Sequence, residues 1–323
     1  MASREEWLAW RRTGITATDA AALVGLSRWS SPYSVWANKA GLLPEDEASD
    51  AMEFGTRAEP MLSQWFHDRT GMWVRGEQSW CANPAEPWML ATVDGFAVED
   101  GNDGVGPRRR ELGGVEHKTT SDSPGEWDTA IPDDIMCQVQ WQMAVTGMPR
   151  TWLSTLHLGF RVRYVVRVIE RDEDDIAALI AAARPFWLDH CLTGIAPPAC
   201  GLDATTMALG SVWTGDTKLD AVEADADLAA ARALILVIKE QIKYKEDGVT
   251  AAENQIKAAL GDHTALTAGT DAKGRPIVLA TWNPSETTRL DVKRITAELP
   301  DVCAPYMTTK QTRTLLIKQF KET

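Results

Sequence analysis

The 323 residues suffice for one large domain or a core domain with an appendage, and 44% apolar with 24% charged content excludes a disordered chain. No apolar run reaches bilayer-spanning length and "MASREEWLAWRR" lacks the apolar core of a secretion signal, so a cytoplasmic protein with no membrane partner is expected. A net charge of −13 argues against loose, nonspecific coating of nucleic acid, and five scattered cysteines without a C-x-x-C pair argue against a disulfide framework or a thiolate metal site.

Ser3 and Glu6 in "SREE" form a capping-box pattern ahead of an amphipathic helix that Gly14 would stop. "ITATDAAALVGLS" begins a second helix, with Thr16 or Thr18 as N-cap and Asp19 in the first turn. Pro32 sits near the first turn of a third. A longer helical region follows from about Ala51 to Thr70, punctuated by Gly55 and Pro60. The period then changes. "MWVRGEQSW", "WMLATVDGFAVE", "GVEHKTT", "TWLSTLHLG" and "RVRYVVRVIER" are short, rich in Val, Thr and Trp, and read as strands. Between the third and fourth, "PDDIMCQVQWQMAVTG" reads as a helix that Pro132 starts and Gly147 stops; "DEDDIAALIAAARPFWLDHCLTG" reads as another, acidic at its N-terminus.

Residues 1–197 therefore read as an α+β domain, helices followed by a small mixed sheet with a helix packed on it. Residues 198–218 have the Pro, Gly and small-residue content of a linker. Residues 219–323 read as an Ala-rich helical hairpin broken near "GVTAAENQ", followed by a small α/β extension: the strand "RPIVLATWN", a helix, a loop and a final strand. Leu228, Ile235 and Ile242, seven apart, suit a helix that pairs with a neighbour.

The pattern [D/E]-x-K occurs at Glu116–Lys118, Asp216–Lys218, Asp271–Lys273 and Asp291–Lys293, so by itself it carries no weight. Three features single out the first: it lies in the expected sheet, it follows an apolar strand ending in Asp94-Gly95, and it precedes a helix with Gln138 and Gln142 at i and i+4 on one face. Glu116 and Lys118, two apart in a strand, face the same side. Such a set suits metal-assisted phosphodiester hydrolysis, in which a divalent ion with hard oxygen ligands offsets phosphate charge and activates water. Asp94 and Glu116 offer carboxylates and the main-chain carbonyl of His117 a third oxygen; Lys118 would stand beside the attacking water; Glu59 in "FGTRAEP" adds a carboxylate from the preceding helix.

"WRRTGITATDAAALVG", "MEFGTRAEPML", "ATVDGF", "VEHKTT" and "MCQVQWQMAVTG" occur in the order seen in the lambda exonuclease and YqaJ-type viral recombinase family of the PD-(D/E)xK nuclease superfamily, which the chain resembles over roughly residues 4–195. The resemblance implies a restriction-endonuclease-like core, a central mixed β-sheet flanked by helices. It implies a Mg²⁺-dependent 5′→3′ exonuclease on double-stranded DNA, with Mn²⁺ as an alternative metal. The enzyme would release mononucleotides and leave 3′ single strands for a RecT/Red-beta-like annealing protein, working as a homo-oligomeric ring in phage recombination or repair. Residue by residue, Asp94, Glu116 and Glu59 resemble the family's metal carboxylates, Lys118 its catalytic lysine and Gln138 its glutamine beside the site. Arg11 and Thr18 resemble the pair that holds a terminal phosphate, and Thr92 falls at a hydroxyl position. The reading of the residues agrees at one point: a helix start at "TATD" offers free N–H groups, and arginine offers a bidentate fork, to a phosphate.

Other residues carry balanced readings. Arg108, Arg109 and Arg110 suit DNA contact or a solvated turn equally. His117 points away from Glu116 and Lys118 and reads as structural. Trp141, near Gln138, is a candidate to stack on a base, and Met52 reads as core, with an apolar wedge at a strand fork as the alternative. The competing functions are a PD-(D/E)xK endonuclease, a Cas4/RecB-like nuclease, whose iron–sulfur form the cysteine spacing disfavours, and a non-catalytic DNA-end-binding recombination scaffold.

Overall fold

The computed structural model describes residues 3–44, 49–102, 107–121, 127, 129–159, 161–213, 221–308 and 314–318. The chain forms two compact units, residues 1–214 and 215–323. Among the described residues, no helix is long and apolar enough to cross a membrane.

The first unit opens with four helices: α1 (Arg4–Arg11), α2 (Ala17–Leu23), α3 (Pro32–Lys39) and α4 (Asp50–Thr70). Each starts where its sequence supplies a cap. Ser3 and Glu6 close a capping box on α1, Thr16 and Asp19 close one on α2, Ser31 caps α3 ahead of Pro32, and Ser49 caps α4. Gly71 ends α4 in the left-handed conformation.

Seven strands follow: β1 (Trp73–Arg75), β2 (Ser79–Ala82), β3 (Leu90–Val93), β4 (Gly95–Asn102), β5 (Pro107–Thr120), β6 (Arg150–His157) and β7 (Arg163–Glu170). Five of them form a sheet in the order β1-β4-β5-β6-β7, and β2 and β3 form a separate ribbon. The β5–β6 pair is parallel and the other pairs are antiparallel, so the expected mixed sheet flanked by helices is present. Parallel neighbours need a crossover, and α5 (Asp133–Thr146) supplies it. Packed against α5 and the β2–β3 ribbon are α2 and α6 (Glu173–Phe186); Ala20, Ala21, Trp141, Leu179 and Phe186 are buried in their shared core.

Two expectations about the chain's organisation change. The segment 198–218 is not a plain linker: it contains α7 (Asp203–Val212), which packs on α3. Ala208 is buried there, Thr205 donates to Ser31 Oγ at 2.8 Å, and the Trp213 indole donates to Tyr33 at 3.2 Å. In the second unit, the Ala-rich region is one unbroken helix, α8 (Ala226–Leu260), of 35 residues rather than a hairpin. Gly248 costs such a helix only about 1 kcal/mol relative to alanine, which the surrounding Ala, Glu, Lys and Gln residues absorb. After α8 come an antiparallel hairpin of β8 (Ala265–Thr270) and β9 (Pro276–Thr281) and two short helices, α9 (Val292–Glu298) and α10 (Pro300–Cys303). The expected final strand is absent at residues 314–318, which have no regular structure.

Candidate active site

Gly95 explains why an aspartate can stand where Asp94 does. β3 belongs to the ribbon and β4 to the main sheet, so the chain changes partners at Asp94-Gly95. A Cβ on Gly95 would run into the Val74 side chain and crowd the Arg75 carbonyl of β1. With glycine there, β4 begins opposite Val115, and the edge of β5 beyond that point is left to the Asp94 side chain. The His117 N–H donates to Asp94 Oδ2 at 2.8 Å, and the His117 carbonyl leaves the strand by the same edge.

Glu116 is 2% exposed, and its two oxygens are fully engaged. The Gln138 amide donates to Oε1 at 2.6 Å, the Lys118 ammonium lies 2.6 Å from the same oxygen, and the Gln142 amide donates to Oε2 at 2.7 Å. Gln142 also donates to the Thr92 carbonyl at 3.2 Å, tying β3, α5 and β5 together. Glu59 arrives from α4, and the Gln78 amide bridges it to Asp94, at 2.9 Å to Glu59 Oε2 and 3.3 Å to Asp94 Oδ1. Three carboxylates therefore converge around one ammonium.

The electrostatics follow from that excess of negative charge. Burial, reinforced by the Glu116 charge, pushes Asp94 well above the usual carboxylate range, and burial with the same neighbour raises Glu59. Burial alone would lower Lys118, but the Glu116 and Asp94 charges outweigh it and hold the ammonium protonated above its ordinary value. His117 turns to the other face, with Nδ1 2.9 Å from Ser154 Oγ and Nε2 3.1 Å from Ser63 Oγ; burial pushes it down to about 4, so it is neutral.

Arg11, Thr18 and Thr92 line the same cleft of about 390 Å³ as Asp94, Glu116, Lys118, Glu59 and Gln138. Arg11 donates to Thr18 Oγ1 at 2.9 Å and to Thr16 Oγ1 at 3.3 Å, and its guanidinium lies 4.6 Å from the Trp7 ring centre. The Trp7 indole donates to Thr92 Oγ1 at 3.2 Å. Behind this group, Asp19 accepts from Thr16 and pairs at 2.5 Å with Lys39, whose ammonium also donates to the Arg11 carbonyl at 2.8 Å.

All the expected site residues are thus brought together, Gln142 joins the amide partner Gln138 on Glu116, and three further residues that the sequence reading gave no role are present: Gln78, Trp7 and Lys39. Gln78 is, among the described residues, the one non-glycine in the left-handed backbone region, at φ 55°, and strain of this kind gathers at functional sites. Two readings are corrected. Trp141 is fully buried, its indole donating to the Leu90 carbonyl, so it cannot stack on a base. Met52 is 53% exposed at the cleft mouth, not core. The side chains of Arg108, Arg109 and Arg110 lie outside the described residues.

The residues suit a hard divalent cation. Among the described residues, no three of His, Cys, Asp and Glu form a complete metal cage. Two carboxylates, a main-chain carbonyl and water match an ion such as Mg²⁺, which keeps several waters, and such an ion would offset the charge that raises Asp94.

The fold and the site define a class: an α+β protein whose central mixed sheet carries a buried glutamate and a lysine two apart on one strand, facing an aspartate at a strand start. A family model described as the YqaJ-like viral recombinase domain matches residues 6–149, which contain every one of these site residues. The protein YqaJ of Bacillus subtilis (strain 168) is 31% identical over 305 residues, covering 93% of this chain and 89% of that protein. The chain belongs to the YqaJ-like viral recombinase family. Among solved structures, an alkaline exonuclease (LHK-Exo) from Laribacter hongkongensis matches 59% of this chain and 94% of its own at 22% identity and a TM-score of 0.44. A phage-related exonuclease from Haemophilus somnus 129PT matches 57% and 96% at 10% identity and a TM-score of 0.42.

Proposed function

We propose that this chain is a divalent-metal-dependent exonuclease that degrades one strand of double-stranded DNA from its 5′ end, releases mononucleotides and leaves a 3′ single strand for recombination by annealing. One observation carries the reading: the carboxylate–lysine cluster and the arginine–threonine group open into a single cleft. A cleft that takes a terminal phosphate at one end and hydrolyses a phosphodiester at the other acts from an end and in one direction.

Asp94, Glu116 and the His117 carbonyl are the groups that would hold Mg²⁺ or Mn²⁺, with Glu59 reaching it through water. Once bound, such an ion supplies charge neutralisation and an activated water. Lys118, kept protonated by its two acidic neighbours, orients the nucleophilic water and faces the charge that develops on the phosphate. Gln138, anchored on Glu116, positions the water or the scissile phosphate. Arg11 and Thr18, with Thr92 behind them, take the 5′-phosphate through charge-assisted hydrogen bonds. A homo-oligomeric ring around the duplex would make digestion processive, and an annealing protein would take the exposed strand; membership of a viral recombinase family supports that setting.

Duplexes labelled at either end, with and without a 5′-phosphate, test the reading in Mg²⁺ and in chelator, beside a closed circle. We expect mononucleotides from phosphorylated 5′ ends in Mg²⁺ alone. Cutting of the circle would instead identify an endonuclease, and no cutting of any substrate in Mg²⁺ or Mn²⁺ would leave an end-binding scaffold.

A further inference from the structure

We propose that Lys39 is a positioning residue for the terminal phosphate: it offsets the charge of Asp19, so that the charge of Arg11 stays available to a 5′ end. The inference rests on the reading of Arg11 and Thr18 as the group that takes the 5′-phosphate. Lys39 closes α3, where the last turn of a helix favours a cation. Its side chain is 3% exposed and does not line the cleft, so its action on a substrate is indirect. Its ammonium instead reaches two groups behind the cleft wall, Asp19 Oδ2 at 2.5 Å and the Arg11 carbonyl at 2.8 Å.

Hydrogen bonds carry this influence forward. Asp19 Oδ2 also accepts from the Thr16 N–H at 2.8 Å and from the Thr16 hydroxyl at 2.7 Å. A hydroxyl has a single proton to give. With that proton on Asp19, Thr16 Oγ1 is an acceptor, so in its 3.2 Å contact with Thr18 the Thr18 hydroxyl is the donor. Arg11 donates to both threonine oxygens. The Thr18 hydroxyl and the Arg11 fork are therefore both set as donors, the polarity that a phosphate requires.

Charge explains why Asp19 needs a partner other than Arg11. Burial raises Asp19, but the Lys39 and Arg11 charges outweigh it and hold the carboxylate ionised; burial lowers Lys39, and the Asp19 charge opposes that pull. Asp19 also lines a groove that Arg11 and Thr18 share, so its charge faces the same space as theirs. Two cations and one anion leave a single positive charge for the phosphate. Without Lys39 the remaining pair cancels, and the carboxylate competes with the phosphate for the guanidinium. Stability alone does not account for the pair, because apolar residues of similar volume in place of a buried ion pair are often as stable or more so.

The test is the preference of the full chain for 5′-phosphorylated over 5′-hydroxyl duplex ends, read as the ratio of kcat/KM on the two. The wild type is compared with Lys39→Met, Asp19→Asn and the double variant. All three break the ion pair, and asparagine keeps an oxygen to cap Thr16. Only Lys39→Met leaves Asp19 unbalanced, and it should lower the ratio at least ~tenfold, the worth of one charge-assisted hydrogen bond. Asp19→Asn and the double variant should match or exceed the wild-type ratio. A merely structural pair would instead lower the ratio in all three, in step with their melting temperatures. Melting curves place the assay below every midpoint. If Lys39→Met does not fold, the other two still decide, since a ratio below that of the wild type in either overturns the inference. An unchanged ratio in folded Lys39→Met overturns it as well. A wild type with no preference for phosphorylated ends overturns the reading of Arg11 and Thr18 itself, and this inference with it.

Discussion

Burial pulls the Lys118 ammonium down, yet the Glu116 and Asp94 charges outweigh that pull and raise it, and in the proposed mechanism a lysine held charged in this way would serve as an electrostatic and orienting group rather than as a base. Lys118→Ala should therefore cut the rate of nucleotide release by about 10²–10³-fold, the usual cost of losing one preorganised charge partner. The melting temperature should fall, because buried Glu116 keeps both glutamine amides but loses the ammonium that offsets its charge. Rates of nucleotide release and thermal melts of the two proteins decide it; an unchanged rate would remove Lys118 from the site. The thiols give a second residue-scale expectation. Burial pushes Cys137 up to about 11 and Cys191 up to about 12, whereas exposed Cys200, hydrogen-bonded to Thr205, is lowered. Only the thiolate reacts, so at pH 8 iodoacetamide should label Cys200 first and leave Cys137 and Cys191 nearly untouched, as peptide mass spectrometry would show. The sequence made Asp94, Glu116 and Lys118 visible because spacing along a strand carries facing. It could not show Gln78 or Lys39, whose roles arise from contacts across 16 to 28 residues with no local period.

Strand β5 is the element on which the site depends, since it carries Glu116, His117 and Lys118 and lies between β4 and β6. Its approach to β6 is set by Gly113, where a Cβ would strike the Arg150 carbonyl and the Trp152 ring. Gly113→Ala should push the two strands apart and destabilise the first unit by about 1–3 kcal/mol, the usual cost of overpacking. Chemical denaturation would measure this, and a neutral result would mean that Arg150 and Trp152 yield easily. At this scale the caps, the crossover helix and the mixed sheet were readable, because each has a local signature. The single helix α8 was not: a glycine and a threonine looked like a break, and the helix-forming Ala, Glu, Lys and Gln residues around them outweigh it.

At the scale of the whole molecule, the boundary of the first unit is the point on which sequence and structure part. Proline, glycine and small residues at 198–218 read as a linker, since composition cannot distinguish an exposed connection from a helix that buries small side chains. In the folded chain, Thr205 reaches the fully buried Ser31 at the cap of α3, and Ala208 joins the main core. A chain ending at residue 197 would lose these contacts and leave a buried hydroxyl with fewer partners, at about 1–3 kcal/mol for the hydroxyl alone. A chain ending at residue 214 keeps them, and it keeps every residue lining the cleft, the last of which is Gln138. The shorter truncation should therefore melt several degrees below the longer, at ~2–4 °C per kcal/mol for a chain of this size. The longer one should retain nucleotide release within a few-fold of the full chain. Melting curves and end-labelled digestion of the two truncations decide this. Loss of activity in the 1–214 chain alone, with its melt intact, would show that the second unit contributes to catalysis.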